Sequence, residues 1–226
     1  MKGVANMPIQ FSIHRAFRYL SNSTVGYHNL YYTGFGQPDN PQFLNTLKNT
    51  YNNEPLCKLK DARNTVVGIL LEDIPYIMQE ENIDGCMCVC IPRAKALNTY
   101  TDNQLFFRDA VSIASNKIPD VINGSDVIIR HTNTQTTHLA NAQAQSRKAK
   151  DGHSIKLIEG NDGRSPYPGI TTDTCYIDDG VAGEDIILID DIYTHGVNID
   201  EDAIQALLNA GANSVIFYAI AYTGRG

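Results

Sequence analysis

Two adjacent carboxylates, Asp190 and Asp191, close a run of four apolar residues, Ile186-Ile187-Leu188-Ile189. Carboxylates this close repel each other unless hydroxyls, water or a cation satisfy them. A sugar diol with Mg²⁺ nearby would do so, because Mg²⁺ takes oxygen ligands and keeps several of its waters. A short polar turn follows, Tyr193-Thr194-His195-Gly196-Val197-Asn198. Gly196 lets the backbone approach a ligand closely. Thr194 and Asn198 offer side-chain donors. Asn198 with Glu201 also reads as an ordinary N-cap with a capping box.

Three elements must position these groups. The apolar run suits a central parallel strand covered by helices on both faces. Ile199, Ala203, Ala206, Leu207 and Ala210 then recur at helical spacing, and Gly211 closes that helix. Val215 to Ile220 reads as a second buried strand. The whole is a strand–loop–helix–strand crossover. Open α/β sheets bind ligands beyond the carboxyl ends of their strands, and a helix N-terminus there suits a phosphate.

The 13 residues IILIDDIYTHGVN resemble the phosphoribosyl-pyrophosphate (PRPP) loop of the type I phosphoribosyltransferases. That loop has four apolar residues, two acids, two apolar residues, Thr-Thr-Gly, any residue, then Thr or Ser. His195 stands where the second Thr is usual, and Asn198 stands for the final Thr or Ser. Both can still donate hydrogen bonds.

A second segment carries the resemblance further. Cys86-Met87-Cys88-Val89-Cys90-Ile91 reads as a strand, and it leads through Pro92-Arg93-Ala94-Lys95 towards Asn103-Gln104 and a helix. This part is similar to the competence-protein-F-like, amidophosphoribosyltransferase-related branch of the family. There an apolar-Pro run enters a basic loop, and a helix begins near an Asn-Gln pair. The resemblance sets Arg93 and Lys95 against the pyrophosphate of PRPP, where charge-assisted donors are needed. As plain residues they also read as two solvated surface charges. The three thiols at alternate positions share one strand face and could converge on a metal. Structural zinc sites space thiols two to four apart in loops, so a strand of small hydrophobes is the simpler reading.

Further along, RHTNTQTTHLANAQAQSRKAKDGHS is long, polar and poor in bulky apolar residues. Loops of this kind are functional or disordered. An Arg…Thr…Gln…Leu…Arg pattern of the same branch maps onto Arg130, Thr132 or Thr134, Gln135, Leu139 and Arg147. The resemblance makes this a lid with Arg147 among the substrate-binding residues, where Lys148 and Lys150 would bring positive charge to the leaving pyrophosphate; as plain residues it reads equally as a tolerated surface loop. Ile155 to Ile158 reads as a short strand, and Thr171, Thr172, Thr174 and Tyr176 as a β-edge.

The N-terminal part is harder to read. Phe11, Ile13, Phe17 and Leu20 could line one face of a strand or short helix, and Tyr27, Tyr31, Tyr32 and Phe35 form an aromatic segment. Asn40-Pro41 predicts a helix start, with Phe43, Leu44, Leu47 and Tyr51 on its apolar face. A second helix is predicted over about Asp61 to Leu71, ended or kinked by Pro75, with a further helical turn at Tyr76 to Glu80. Residues 1–81 therefore read as an N-terminal extension or hood, and 82–226 as the core.

Composition sets outer bounds. The 226 residues are 42% hydrophobic, long enough for one sizeable core. A formal net charge of -7 speaks against a broad nucleic-acid footprint, although a local basic patch stays open. Five cysteines without an apolar leader at the N-terminus lead us to expect a reducing cytoplasm, and no stretch is long enough to span a membrane.

The expected fold class is thus α/β, a parallel sheet flanked by helices with a small hood, of the type I phosphoribosyltransferase, Rossmann-like kind. The resemblance implies a glycosyltransferase (pentosyltransferase) of nucleotide metabolism. In it, a base or other nitrogen nucleophile displaces pyrophosphate at the anomeric ribose carbon of PRPP. Asp190 and Asp191 would hold the ribose hydroxyls and support the Mg²⁺ shell, directly or through water. Thr194, His195, Gly196, Val197 and Asn198 would bind the 5′-phosphate. Two other classes stay open: a PRPP or nucleotide sensor without turnover, and a nucleotide-targeting effector held in check by a protein partner. The acceptor and any homo-oligomer are not legible.

Overall fold

The computed structural model describes residues 7–14, 20–34, 36–37, 39–133, 169–172, 174–195 and 199–224. Its elements in chain order are β1 (Ile9–Ile13), β2 (Thr24–Tyr31), α1 (Gln42–Lys48), α2 (Leu56–Glu80) and β3 (Cys86–Cys90). There follow α3 (Phe106–Ser115), β4 (Val121–Gly124), β5 (Ile128–Arg130) and β6 (Cys175–Ile177). The chain continues through β7 (Asp185–Tyr193), α4 (Ile199–Asn209) and β8 (Ser214–Tyr222).

Ile186 to Ile189 are at most 1% exposed, and all five residues of β3 are buried. Strands apolar on both faces belong in the middle of a parallel sheet, and there they lie. Six strands form one sheet in the order β1-β2-β8-β7-β3-β4. Every pairing is parallel except β1 with β2. The protein is therefore α/β, with a mostly parallel mixed sheet flanked by helices.

Alternate residues of each strand feed opposite cores. Cys86, Cys88, Cys90, Ile187, Ile189, Ile216 and Tyr218 pack with the buried residues of α1, α2 and α3. Met87, Val89, Ile186, Leu188, Val215, Phe217 and Ala219 pack with Ala203, Ile204 and Leu207 of α4 and with the β5–β6 ladder. Gly211, at φ +99, ends α4 in the left-handed backbone that glycine adopts without strain.

Several expectations change. The segment 1–81, read as an extension or hood, supplies two strands of the sheet and the two helices α1 and α2. Pro75 lies inside α2, which runs unbroken from Leu56 to Glu80. Proline forfeits a backbone hydrogen bond, but Leu70, Ile74 and Ile77, each at most 1% exposed, hold both sides of it against the sheet. Asn40 does not cap α1, whose N-cap is Pro41. Instead its Oδ1 accepts the Thr33 N–H at 2.7 Å. Strand β5 pairs antiparallel with β6 outside the main sheet. One edge of the sheet is β4, a short strand with two exposed residues, and the other is β1. The strand expected at 155–158 and the lid segment, with Gln135, Leu139, Arg147, Lys148 and Lys150, lie outside the described residues. Among the described residues no helix is long and apolar enough to cross a membrane.

Candidate functional site

Neighbouring strands β3 and β7 send the chain to opposite faces. β3 continues through α3 on one side of the sheet, and β7 through α4 on the other. Such a divergence opens a crevice at the carboxyl ends of the two strands, the usual ligand position in open α/β sheets. The loop 91–105 leaves one lip of this crevice, and Asp190, Asp191 and Thr194 stand on the other. Ile91 N–H donates to the Ile189 carbonyl at 3.0 Å and ties the two lips together.

The acid pair lies within β7, which continues beyond it to Tyr193. Asp190 Oδ1 accepts the Asp191 N–H at 2.8 Å. Burial, and then the neighbouring Asp191 charge, push the Asp190 carboxyl up to about 7, against the hydrogen bond from Asp200, the Asp191 N–H and the Lys48 charge. Asp200 sits in the first turn of α4 and is 1% exposed. Burial raises its pKa well above the carboxylate range, with Asp190 and Glu201 adding to the effect. Both neighbouring acids are thus held above the ordinary carboxylate range.

The rest of that turn is also built inward. Glu201 is fully buried and its Oε1 accepts the Tyr193 hydroxyl at 2.9 Å. Burial raises its pKa too. Asp202 accepts the Ile170 N–H, and burial raises its carboxyl to about 6. Asp200 Oδ1 and Glu201 Oε2 find no hydrogen-bond partner among the described residues. Asp200, Glu201 and Asp202 therefore face the protein, as three acids beside a bound phosphate would have to.

The cations are arranged otherwise than their sequence suggests. Lys48 Nζ lies 3.6 Å from Asp191 Oδ2, and the Asp191 charge raises the lysine's pKa. Arg93 turns its guanidinium towards main-chain carbonyls: Nη1 donates to Gln104 at 2.5 Å and Nη2 to Lys48 at 2.6 Å. The same group stacks over Tyr100, 4.7 Å from the ring centre. Lys95 is exposed, and its N–H donates to the Tyr100 hydroxyl at 3.0 Å. Arg130 is 2% exposed; its Nε donates to the Arg93 carbonyl at 2.9 Å and its Nη1 to that of Gly169 at 3.2 Å. Arg93 and Arg130 thus shape the loop beside the crevice.

Thr194 is half-buried and His195 exposed at the end of β7. Gly196, Val197, Asn198 and Arg147 lie outside the described residues. Among the described residues no group of three or more His, Cys, Asp or Glu could hold a metal ion, the three strand thiols included. Mg²⁺ needs no such cage, since it keeps water and binds through one or two carboxylates plus substrate phosphates. Asp191, with its side chain 25% exposed, fits that role, and Asp190 fits it through water.

Lys48 was not picked out from the sequence. A lysine in the last turn of a helix reads as a partner of the helix dipole. Its place directly after the buried Leu47 was the available signal. No protein-family model and no curated protein matches this chain.

Proposed function

We propose that this chain is a PRPP-binding phosphoribosyltransferase of the type I kind. The reading rests on one observation above others: the Asp190–Asp191 pair ends the apolar run of β7 at the mouth of the crevice between β3 and β7. The ribose 2′- and 3′-hydroxyls donate to these carboxylates. The turn beginning at Thr194 takes the 5′-phosphate, and the β3 side of the crevice takes the diphosphate. Mg²⁺ carried on that diphosphate would neutralise the leaving group. As the anomeric C–O bond breaks, positive charge develops on the ribose, and the acid pair stabilises it. A nitrogen nucleophile then bonds to the anomeric carbon, and pyrophosphate departs with the C–O electrons.

Isothermal titration with PRPP and Mg²⁺, followed by a pyrophosphate assay across a panel of bases, tests the reading. Binding with release, both lost in Asp191→Ala, supports a transferase and names its acceptor. Binding without release favours a sensor, a reading consistent with His195 and Asn198 in the phosphate loop and with Arg93 engaged by carbonyls. The effector class makes the same prediction until its partner is supplied. Absence of binding would refute the PRPP assignment.

A further inference from the structure

We infer that, on the phosphoribosyl reading of this site, Lys48 is the cation that receives the substrate's diphosphate, parked on Asp191 until the ribose hydroxyls take its place.

The main chain at Lys48 is tightly fixed. Leu44 and Leu47 anchor α1 in the core at 0% and 2% exposure. The Lys48 carbonyl is gripped by Arg93, whose other arm holds Gln104. The next residue, Asn49, turns into the left-handed region at φ 33 and donates from Nδ2 to the Asn103 carbonyl at 3.0 Å. Gln104 Nε2 answers with contacts to the carbonyls of Asn49 at 3.3 Å and Thr50 at 3.4 Å. The end of α1 and the loop 91–105 are one construction.

The side chain is held far less firmly. Its 3.6 Å contact with Asp191 is long for a charge-assisted hydrogen bond, which lies at about 2.7–2.9 Å. The lysine side chain is 37% exposed and passes 5.9 Å from the Tyr32 ring centre. A partly exposed ion pair of this kind is worth only about 0–1 kcal/mol. Fixed at its root and loose at its tip, Lys48 can change partners cheaply.

The substrate supplies both halves of the exchange. Hydroxyls that donate to Asp191 satisfy the carboxylate and release the ammonium. A diphosphate on the β3 lip then offers it a stronger, doubly charged partner. Arg93 acts through Lys48 as a positioning residue.

The test is titration of wild type, Lys48→Met, Lys48→Arg, Asp191→Asn and the Lys48→Met/Asp191→Asn double variant. Two probes are used separately, PRPP with Mg²⁺ and inorganic pyrophosphate with and without it. Lys48→Met is expected to weaken pyrophosphate binding by about tenfold or more, and Lys48→Arg to restore most of it. Asp191→Asn is expected to weaken PRPP, whose Mg²⁺ loses a supporting carboxylate, yet to tighten pyrophosphate titrated without Mg²⁺, because the lysine is set free. That gain should shrink in the double variant, a coupling that simple loss of packing would not produce. Wild-type binding left unchanged in Lys48→Met would overturn the role of Lys48 and leave the site reading standing. Wild type silent towards both probes would overturn the site reading itself, and the role of Lys48 with it.

Discussion

Asp200, in the first turn of α4, is buried beside Asp190 of β7, and burial together with their neighbouring acids raises both carboxyls. A helix N-terminus normally welcomes an ionised acid. Burial and the charges of Asp190 and Glu201 override that preference here.

Asp200→Asn should therefore stabilise the protein at high pH. The native carboxyl holds its proton well above the unfolded value, so wild-type stability falls as pH rises through that interval. Asparagine carries no such penalty. We expect a higher Tm than wild type at pH 8, by at least ~2 °C, roughly what 1 kcal/mol gives in a domain of this size. The two proteins should converge at pH 4. Thermal denaturation at both pH values decides it, and a lower Tm at pH 8 would refute the raised Asp200 carboxyl.

A second buried acid lies away from the crevice. Asp73 of α2 accepts the Tyr218 hydroxyl at 2.5 Å and Asn29 Nδ2 at 2.8 and 3.1 Å. Burial raises its carboxyl from 3.8 to about 6, against these hydrogen bonds and with a small push from Glu72. A raised carboxylate costs stability as the unfolded chain ionises first, so stability drops between pH 4 and 6 and is flat above. At about 1.4 kcal/mol for each step of one in pKa, the contribution is ~3 kcal/mol. Urea unfolding of wild type and Asp73→Asn at pH 4 and pH 7 measures it. The variant should gain relative to wild type as pH rises.

Tyr218→Phe probes the same pair from the sheet side. Tyr218 is fully buried, and losing its hydroxyl leaves Asp73 with Asn29. Losing one hydrogen bond to an ionised group costs about 1.5–3 kcal/mol. The loss should be largest at pH 7, where the carboxylate is ionised, and smallest at pH 4. Equal losses at the two pH values would place the effect in packing.

Arg93 separates two roles without any ligand. A solvated surface arginine can be truncated at little cost. One that holds two carbonyls and stacks on Tyr100 cannot. Arg93→Ala should destabilise the ligand-free protein by about 2–4 kcal/mol, since bonds to charged donors are worth ~1.5–3 kcal/mol each. Chemical denaturation reads this directly. An unchanged midpoint would return Arg93 to the solvated, ligand-seeking class.

The β7–α4–β8 unit was legible because its apolar run, helical spacing and closing Gly211 all agree. So was β3, whose five residues are small or apolar enough to be buried on both faces. β2 was not, because His28 and Asn29 break its apolar pattern. Both are satisfied by tertiary or local contacts that no periodicity carries: His28 Nδ1 with the Leu30 carbonyl at 3.1 Å, and Asn29 with Asp73. The four-residue edge strand β4 has two exposed positions and gives almost no apolar signal. In the site, the acid pair was plain from residue type alone. The partners of Arg93 and Lys48 were not, since they lie on main chain or on segments far away in sequence.

One pairing also governs how this chain can be made. β2 sits beside β8, so Gly26 meets Phe217 and Tyr31 meets Tyr222. Almost the whole chain separates these partners. During synthesis the β1–β2 pair emerges long before β8, and β2 lacks its parallel neighbour until β8 leaves the ribosome. The sheet cannot close from its N-terminal end, and distant pairing of this kind slows folding. Until then, β2 presents an open edge and uncovered apolar side chains, the features that make partly folded chains aggregate. A strand far downstream, β8, is the one that shelters β2.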